Sequence, residues 1–404
     1  MLSPKTMATI KSTVPVLEVH GLEITKRFYE MLFTNHPELL NIFNHANQKQ
    51  GRQQEALANA VYAAAKHIDQ LEAILPVVKQ VAHKHRSLGV KPEHYPIVGE
   101  HLIMAIKEVL GDDASEEILR AWEEAYGVIA NVFIEVENEM YKEVAKQPGG
   151  WDKERVFVVD RKEHESDVIT SFYLKPVDGK PIASFKSGQY ISIKVEIPGD
   201  EFTHIRQYSL SDVPEKPYYR ISVKKEESAS KPDGIVSNYI HDHVNENDKL
   251  SITAPAGDFY LNEESTPIVL LSGGVGITPM LSMLKSSAIQ DRKTTFIHAS
   301  LNGSVHAFHE EVTNLKHPSL NYFVCYESPT QEDLNNRTYH KEGFVDYEWL
   351  SEILSLDPKT HYYFCGPLPF MKAVKEALEK LGVSETQIHY EFFGPAVALE
   401  ASME

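Results

Sequence analysis

The chain has 404 residues, a net charge of −18 and 42% hydrophobic side chains. That length suggests two or three domains with proper cores, and the acidic balance argues against nucleic acid or an anionic membrane as the main partner. Two cysteines, Cys325 and Cys365, are too few for a disulfide scaffold or for an iron–sulfur cluster held by four cysteines of the chain. No apolar run approaches a membrane span, so no stable membrane association is expected. The polar first residues have no signal-peptide core, and the expected compartment is the cytoplasm.

Residues 1–147 read as helical throughout. Ser3-Pro4 starts a helix, with a capping residue before a proline. Phe28, Tyr29, Leu32 and Phe33 recur at helical spacing. Pro37 and the segment NHANQKQG, 44–51, mark turns. Arg52 to His67 is rich in good helix formers. Pro76 opens a helix that runs to about Leu88 and is ended by Gly89. Pro92 to Leu110 and Ser115 to Val144 supply two more. The stretch VAHKHRSLGVKPEHYP, 81–96, spans the end of one of these helices and the start of the next, and holds His83, His85 and His94, with His101 just beyond.

The pattern then changes. Gln147-Pro-Gly-Gly150 is a linker signal. In 151–262 the stretches VFVVDR, ITSFYL, QYISIKVEI, RQYSLS and YYRISVKK alternate, separated by turn residues, which predicts a small antiparallel β-barrel. In 263–404 strands alternate with helices: PIVLLSGG, a helix over 279–287, TTFIHAS, a helix over 308–316, NYFVCY, HYYFCGP, a helix over 369–381, and IHYEFF. That order predicts an α/β unit with a parallel sheet.

Four signals in the second and third regions agree. Arg206-Gln207-Tyr208-Ser209 lies on a predicted barrel strand, where an arginine can pair with a phosphate and an aromatic can stack on a flat ring. Gly234-Ile-Val-Ser237 is a Gly/Ser helix start suited to a phosphate. Ser272-Gly-Gly-Val-Gly-Ile-Thr-Pro279 runs from a buried strand into a helix and lets backbone approach a diphosphate. Cys365-Gly366-Pro367 ends a later strand. Each alone reads equally well as an ordinary strand, cap or tight turn.

Together these motifs resemble the ferredoxin–NADP reductase superfamily. The resemblance implies that Tyr190, Arg206, Gln207, Tyr208 and Ser209 line an FAD, with Ser237 near its phosphates. It implies that Gly274, Val275, Gly276, Ile277, Thr278 and Pro279 cradle a nicotinamide dinucleotide, beside Cys365, Gly366 and Pro367. Glu391, Phe392, Phe393, Gly394 and Pro395 would cover the flavin face. After the second strand of the last unit neither an arginine cluster nor an acid stands out, so NADH and NADPH both remain open, with a lean to NADH.

A lone His85 on an apolar helix face reads most simply as a packed or surface histidine. With Tyr29, Phe43, Gln53 and Leu57, however, it falls in an arrangement similar to a bacterial globin. Gln53 and Leu57, four apart, share a helix face. The whole chain then resembles the flavohemoglobins, or nitric oxide dioxygenases, through IFNHANQKQ, RQQEALANA, VAHKHRS, IVGEHL, AYGVIANVF, RQYSLS, GGVGITPML and HYEFFGP. The resemblance implies an all-α globin domain holding one heme b, with His85 as the iron ligand. Tyr29 and Gln53 would hold O2, and Phe43 and Leu57 would restrict the pocket.

The family's oriented ligand histidine maps its tyrosine to Tyr95 and its glutamate to Glu137. Glu135, about 200° around the helix from Glu137, cannot share that face. Lys84 and Glu391 match residues between flavin and heme. The implied reaction oxidises NO with O2 to nitrate, using NAD(P)H electrons, in a chain expected to be monomeric. An oxygen-sensing globin and a general flavin reductase are the alternatives.

Overall fold

Ser3 accepts a hydrogen bond from Thr6 N at 3.0 Å and so caps the first helix, α1 (Pro4–Ser12). In this computed structural model, which describes residues 2–227 and 233–394, six further helices follow: α2 (Val14–Asn35), α3 (His45–Lys49), α4 (Arg52–Lys66), α5 (Leu75–Leu88), α6 (His94–Leu110) and α7 (Glu116–Lys146). Gly89, in the left-handed region at φ +77°, ends α5. The segment read as a turn, 44–51, contains the short helix α3. Asn44 accepts from Asn47 N at 3.3 Å and Gly51 turns left-handed at φ +73°. Turn residues thus bracket one helical turn instead of replacing it.

Ile10, Leu17, Ile24, Phe28, Leu32, Leu102, Ile106 and Trp122 form the core of this helical part. α2 packs on α4 and α6, and α5 packs on α7. Along α4 and α5 few residues are fully buried, Ala64 and Ala65 in one and Val78, Ala82, Arg86 and Ser87 in the other.

The second region forms β1 (Arg155–Ser166), β2 (Ile169–Pro176), β3 (Tyr190–Val195), β4 (His204–Ser209), β5 (Tyr219–Lys224), α8 (Ile235–His243) and β6 (Lys249–Ile252). Its strands lie in the order β4-β3-β6-β1-β2-β5, all antiparallel. A bridge between Leu210 and Ile221 brings the edges together. Phe157, Phe172, Ile191, Ile193, Ile221 and Ile252 fill the inside. β6 escaped the sequence reading because its four residues, Lys-Leu-Ser-Ile, are too few to show an alternation.

The third region runs β7 (Ile268–Gly273), α9 (Ile277–Ile289), β8 (Thr294–Ser300), α10 (His309–Thr313), β9 (Leu320–Tyr326), α11 (Gln331–Asn336), β10 (Lys341–Glu342), α12 (Tyr347–Ile353), β11 (His361–Cys365), α13 (Leu368–Lys380) and β12 (Ile388–Glu391). The sheet is parallel, in the order β10-β9-β8-β7-β11-β12. The chain therefore moves outward from β7 in one direction and returns to its other side at β11. The crevice beyond the carboxyl ends of β7 and β11 is the topological switch point, where such sheets bind ligands.

Three expected elements differ. The helix read over 308–316 covers only His309–Thr313, because Phe308 sits at φ +64° and cannot join it. The last strand stops at Glu391 rather than running through IHYEFF, because its partner β11 ends at Cys365, opposite Glu391. The helices α11 and α12 were not foreseen, being too short for a periodic signal.

Candidate functional site

His85 lies in the last turn of α5. Its Nδ1 is 2.7 Å from Glu137 Oε1 and 3.2 Å from Tyr95 Oη. The Tyr95 hydroxyl donates to the same Glu137 oxygen at 2.6 Å. An oxygen that already accepts from Tyr95 is best completed by an N–H, so His85 carries its proton on Nδ1 and leaves the Nε2 lone pair open. The Glu137 side chain is 3% exposed whereas that of His85 is 33% exposed. Glu135 and Glu139 on the same helix are solvent-exposed. Burial, and then the Glu137 carboxylate, raise the pKa of Tyr95 and keep its proton in place.

The frame around this triad was not foreseen. Tyr126 donates to the Tyr95 carbonyl at 2.7 Å, and Tyr141 donates to the Val90 carbonyl at 2.9 Å, tying the turn after α5 to α7. A Cβ on Gly99 would stand 2.5 Å from the Tyr126 ring, so α6 approaches α7 closely only because that residue is glycine. Phe133 lies beside His85, ring centres 5.8 Å apart.

Tyr29, on α2, is buried, and its ring meets Phe43 at 5.9 Å in an edge-on contact. Burial raises its pKa, and the amides of Gln48 and Gln53 pull it partly back. Gln53 Oε1 is buried without a protein hydrogen-bond partner. Leu57, one turn on, is half-buried against the helical core. An imidazole nitrogen with an open lone pair, half-buried apolar walls and an unmatched polar group suit a flat apolar macrocycle with a liganded metal.

In the barrel, Tyr190 on β3 faces Ser209 on β4, and Ser192 faces Gln207. Arg206 is half-buried, which lowers its pKa, and among the described residues it donates to the Ile205 carbonyl. It makes no ion pair among the described residues. Ser209 Oγ is buried without a partner. A desolvated guanidinium with no protein acid beside it suits a phosphate. Tyr208 packs against the barrel core. Ser237 stands in the first turn of α8, where its hydroxyl donates to the Gly234 carbonyl at 3.1 Å and accepts from Glu226 N at 3.3 Å.

At the switch point Gly274, Val275 and Gly276 form a tight turn that leads through Ile277, Thr278 and Pro279 into α9. Gly274 sits at φ +52°. A Cβ on Gly276 would lie 2.1 Å from the Cys365 carbonyl, and one on Gly366 would lie 2.6 Å from the Phe370 ring. The ends of β7 and β11 thus meet backbone to backbone, with Pro367 capping α13. Cys365 is buried, which raises its thiol pKa. Phe392 packs against the core of this unit, Phe393 is 47% exposed, and Pro395 lies outside the described residues.

The helical domain and the barrel meet along α5 and around Asn41. Arg86 donates from Nη2 to the Pro255 carbonyl at 2.5 Å, and Gln207 Nε2 donates to Ser87 Oγ at 2.8 Å. Thr203 N donates to Asn41 Oδ1 at 2.9 Å. Lys84, next to the candidate ligand, keeps part of its surface open to solvent, and the atoms packed around its ammonium lower its pKa, an effect the Glu391 charge partly offsets. Burial pushes Glu391 up to about 8, and the Lys84 charge partly offsets this. No sequence signal pointed to Arg86, Ser87 or Asn41.

Three family descriptions match in the same order: globin over 26–133, oxidoreductase FAD-binding domain over 157–260 and oxidoreductase NAD-binding domain over 270–376. A flavohemoprotein of Bacillus thuringiensis subsp. konkukian is 59% identical over 405 residues, spanning 99% of this chain and 100% of the relative. One of Bacillus subtilis is 53% identical over 407 residues and 100% of both chains. The crystal structure of a flavohemoglobin from Malassezia yamatoensis, with bound FAD and heme, superposes with a TM-score of 0.84 at 28% identity, covering 97% of this chain and 100% of that one. The FAD/NAD-binding domain of a nitric oxide dioxygenase from Vibrio cholerae O1 biovar El Tor matches 60% of this chain and 100% of its own, at 38% identity and a TM-score of 0.55. The helical domain, the antiparallel barrel and the parallel sheet together span the full length of the curated relatives, and the chain belongs to the flavohemoprotein family.

Proposed function

We propose that this chain is a nitric oxide dioxygenase, which oxidises NO with O2 to nitrate at the expense of NAD(P)H, acting as a cytoplasmic monomer. Its working units are 1–147 for heme b, 151–262 for FAD and 263–404 for the nicotinamide dinucleotide. The observation that carries the reading is the His85–Glu137–Tyr95 arrangement, in a chain that also holds a full reductase.

When bound, heme supplies an iron that activates O2, FAD converts a hydride into single electrons, and NAD(P)H supplies the hydride. The protein's residues do the rest. His85 offers Nε2 to the metal, while Glu137 and Tyr95 hold its Nδ1 proton and make the ring a stronger donor, which suits O2 activation more than storage. Tyr29 and Gln53 would present polar groups to bound O2, and Phe43 and Leu57 would keep that pocket small and dry. Arg206, with Tyr190, Gln207, Tyr208 and Ser209, would receive the flavin, with Ser237 near its phosphates. Gly274 to Pro279, with Cys365 to Pro367, receives the dinucleotide at the switch point. Lys84 and Glu391 sit between the two halves and set the charge on the electron path.

The test is nitrate formation by purified holoprotein given NO, O2 and NADH. Formation far above that of a His85→Ala chain supports the reading. Equal rates, with NADH oxidised to yield peroxide, would replace it with a general flavin reductase.

A further inference from the structure

His85, Arg86 and Ser87 are consecutive in the last turn of α5, and the two residues after the candidate ligand both reach the barrel. Arg86 is 4% exposed and Ser87 is fully buried. The Arg86 guanidinium donates from Nη2 to the Pro255 carbonyl at 2.5 Å. Ser87 Oγ donates to the Lys84 carbonyl at 2.8 Å, and with its proton so placed it accepts from Gln207 Nε2, also at 2.8 Å. Both contacted segments adjoin the strand that carries Tyr190. Ala256, next to Pro255, exchanges two backbone hydrogen bonds with Tyr190, at 2.9 and 2.8 Å. Gln207, on β4, pairs with Ser192, two residues beyond Tyr190 on β3. Burial and then the Glu391 charge raise the pKa of Tyr190, while the Ser87 hydroxyl and the Arg86 charge pull it back. These groups therefore share one electrostatic neighbourhood.

Stability does not explain Arg86. Its Nε is buried without a partner, and it makes no ion pair among the described residues. A desolvated cation held by one carbonyl costs free energy, and an apolar side chain of similar size would pack there without that cost. What the guanidinium gives is direction. Its bond fixes one point of α5 on the barrel, and the Ser87–Gln207 bond fixes a second. Domains within one chain move against each other unless specific contacts hold them. Here two such contacts stand directly beside the candidate iron ligand on one side and beside the expected flavin-lining strands on the other.

We propose that Arg86 and Ser87 are positioning residues for electron transfer from flavin to heme: they register the helix that carries the iron ligand against the strands that line the flavin. This rests on the proposed function for the identity of the two groups, and not on the fate of NO. A hydride from NADH brings the flavin two electrons and one proton. The flavin passes the electrons on one at a time, each taking a ferric iron to ferrous, and its proton goes to solvent. Only this second stage crosses the α5 interface.

Rapid mixing of the ferric holoprotein with NADH, under carbon monoxide and without O2, separates the stages. Loss of flavin absorbance reports the hydride, and growth of the Soret band of carbon monoxide-bound ferrous heme reports the electron. Arg86→Met is expected to slow the electron stage about tenfold, with the hydride stage and the heme and FAD contents unchanged. Ser87→Ala should slow the same stage, and Arg86→Lys, which keeps the charge and a donor, should restore most of the rate. Hydrogen exchange in the peptides spanning 81–90 and 253–258 should quicken in Arg86→Met, because a bond that closes that face is lost. If Arg86→Met does not keep its heme, Ser87→Ala decides by the same criteria. Electron rates that do not move in either variant, or hydride rates that fall in step with them, overturn the proposal. Unmoved electron rates in a protein that still forms nitrate would sink this inference alone. Slowed electron rates in a chain that forms no nitrate even unmodified would leave the positioning role standing and remove the dioxygenase reading.

Discussion

His85 in the helical domain and His306 in the parallel-sheet domain both contact tyrosine hydroxyls, and the contrast between them shows what separates a site from a core. His306 is 4% exposed and uses both ring nitrogens, with Tyr326 Oη at 2.8 Å from Nδ1 and Tyr322 Oη at 3.0 Å from Nε2. The His298 ring lies against it, tilted, with centres 4.3 Å apart, and is itself 2.7 Å from Ser272 Oγ. Burial holds His298 at about 3 and His306 well below the ordinary histidine range, so both stay neutral. His85 is built the other way: one nitrogen is held by a buried carboxylate, and the other faces a half-open space. A histidine with every lone pair and proton matched is packing, and one held on a single side is poised to bind.

The comparison breaks or sharpens under four changes. His85→Ala should abolish the heme Soret band altogether, and a full band would return His85 to the status of a packed residue. Glu137→Gln keeps the shape but weakens the acceptor. Heme affinity or NO turnover should fall about 10- to 100-fold, read by heme transfer to an acceptor globin, and an unchanged affinity and turnover would make Glu137 a bystander.

His306→Phe should do the reverse. It leaves the heme spectrum untouched but takes one hydrogen-bond partner from each of two tyrosine hydroxyls, which costs on the order of 1 to 3 kcal/mol in the stability of the reductase half. Thermal unfolding monitored by flavin release measures it, and a heme-spectrum change would show that the two regions are not independent. Mild acid acts on the same half by another route. Folded pKa values below the unfolded value mean that the unfolded chain takes up protons first. The stability of the reductase half should therefore be complete above about pH 6.5 and fall below it, by about 1.4 kcal/mol per pH unit for each buried histidine. A reductase half equally stable at pH 7 and pH 5 would contradict the burial argument.

Much of this was legible in the residues themselves. The long helices, the alternating strands and the two glycine-rich turns each follow from side-chain spacing over a few residues, which is local information. The failures were local as well: a cap and a left-handed glycine were read as a plain turn at 44–51, and strands or helices of a turn or less left no period to see. At the site, Tyr29, His85, Tyr95 and Glu137 were named through a resemblance, since no spacing rule joins residues 42 or 52 positions apart. The structure adds why Glu137 and not Glu135 or Glu139 can act on the imidazole, because it alone of the three is buried.

The sequence by itself determined the three-part order of the chain, the types of its main elements and the backbone turns suited to phosphates. These depend on periodicity, caps and glycines acting over short range. Only the tertiary structure decided how the parts meet. Arg86 reaches Pro255 across 169 positions and Gln207 reaches Ser87 across 120. Such contacts depend on which helix faces point outward after the cores have formed. The same is true of the proton on His85 Nδ1, because it is set by a carboxylate that packing, and not proximity in the chain, brings within hydrogen-bond reach.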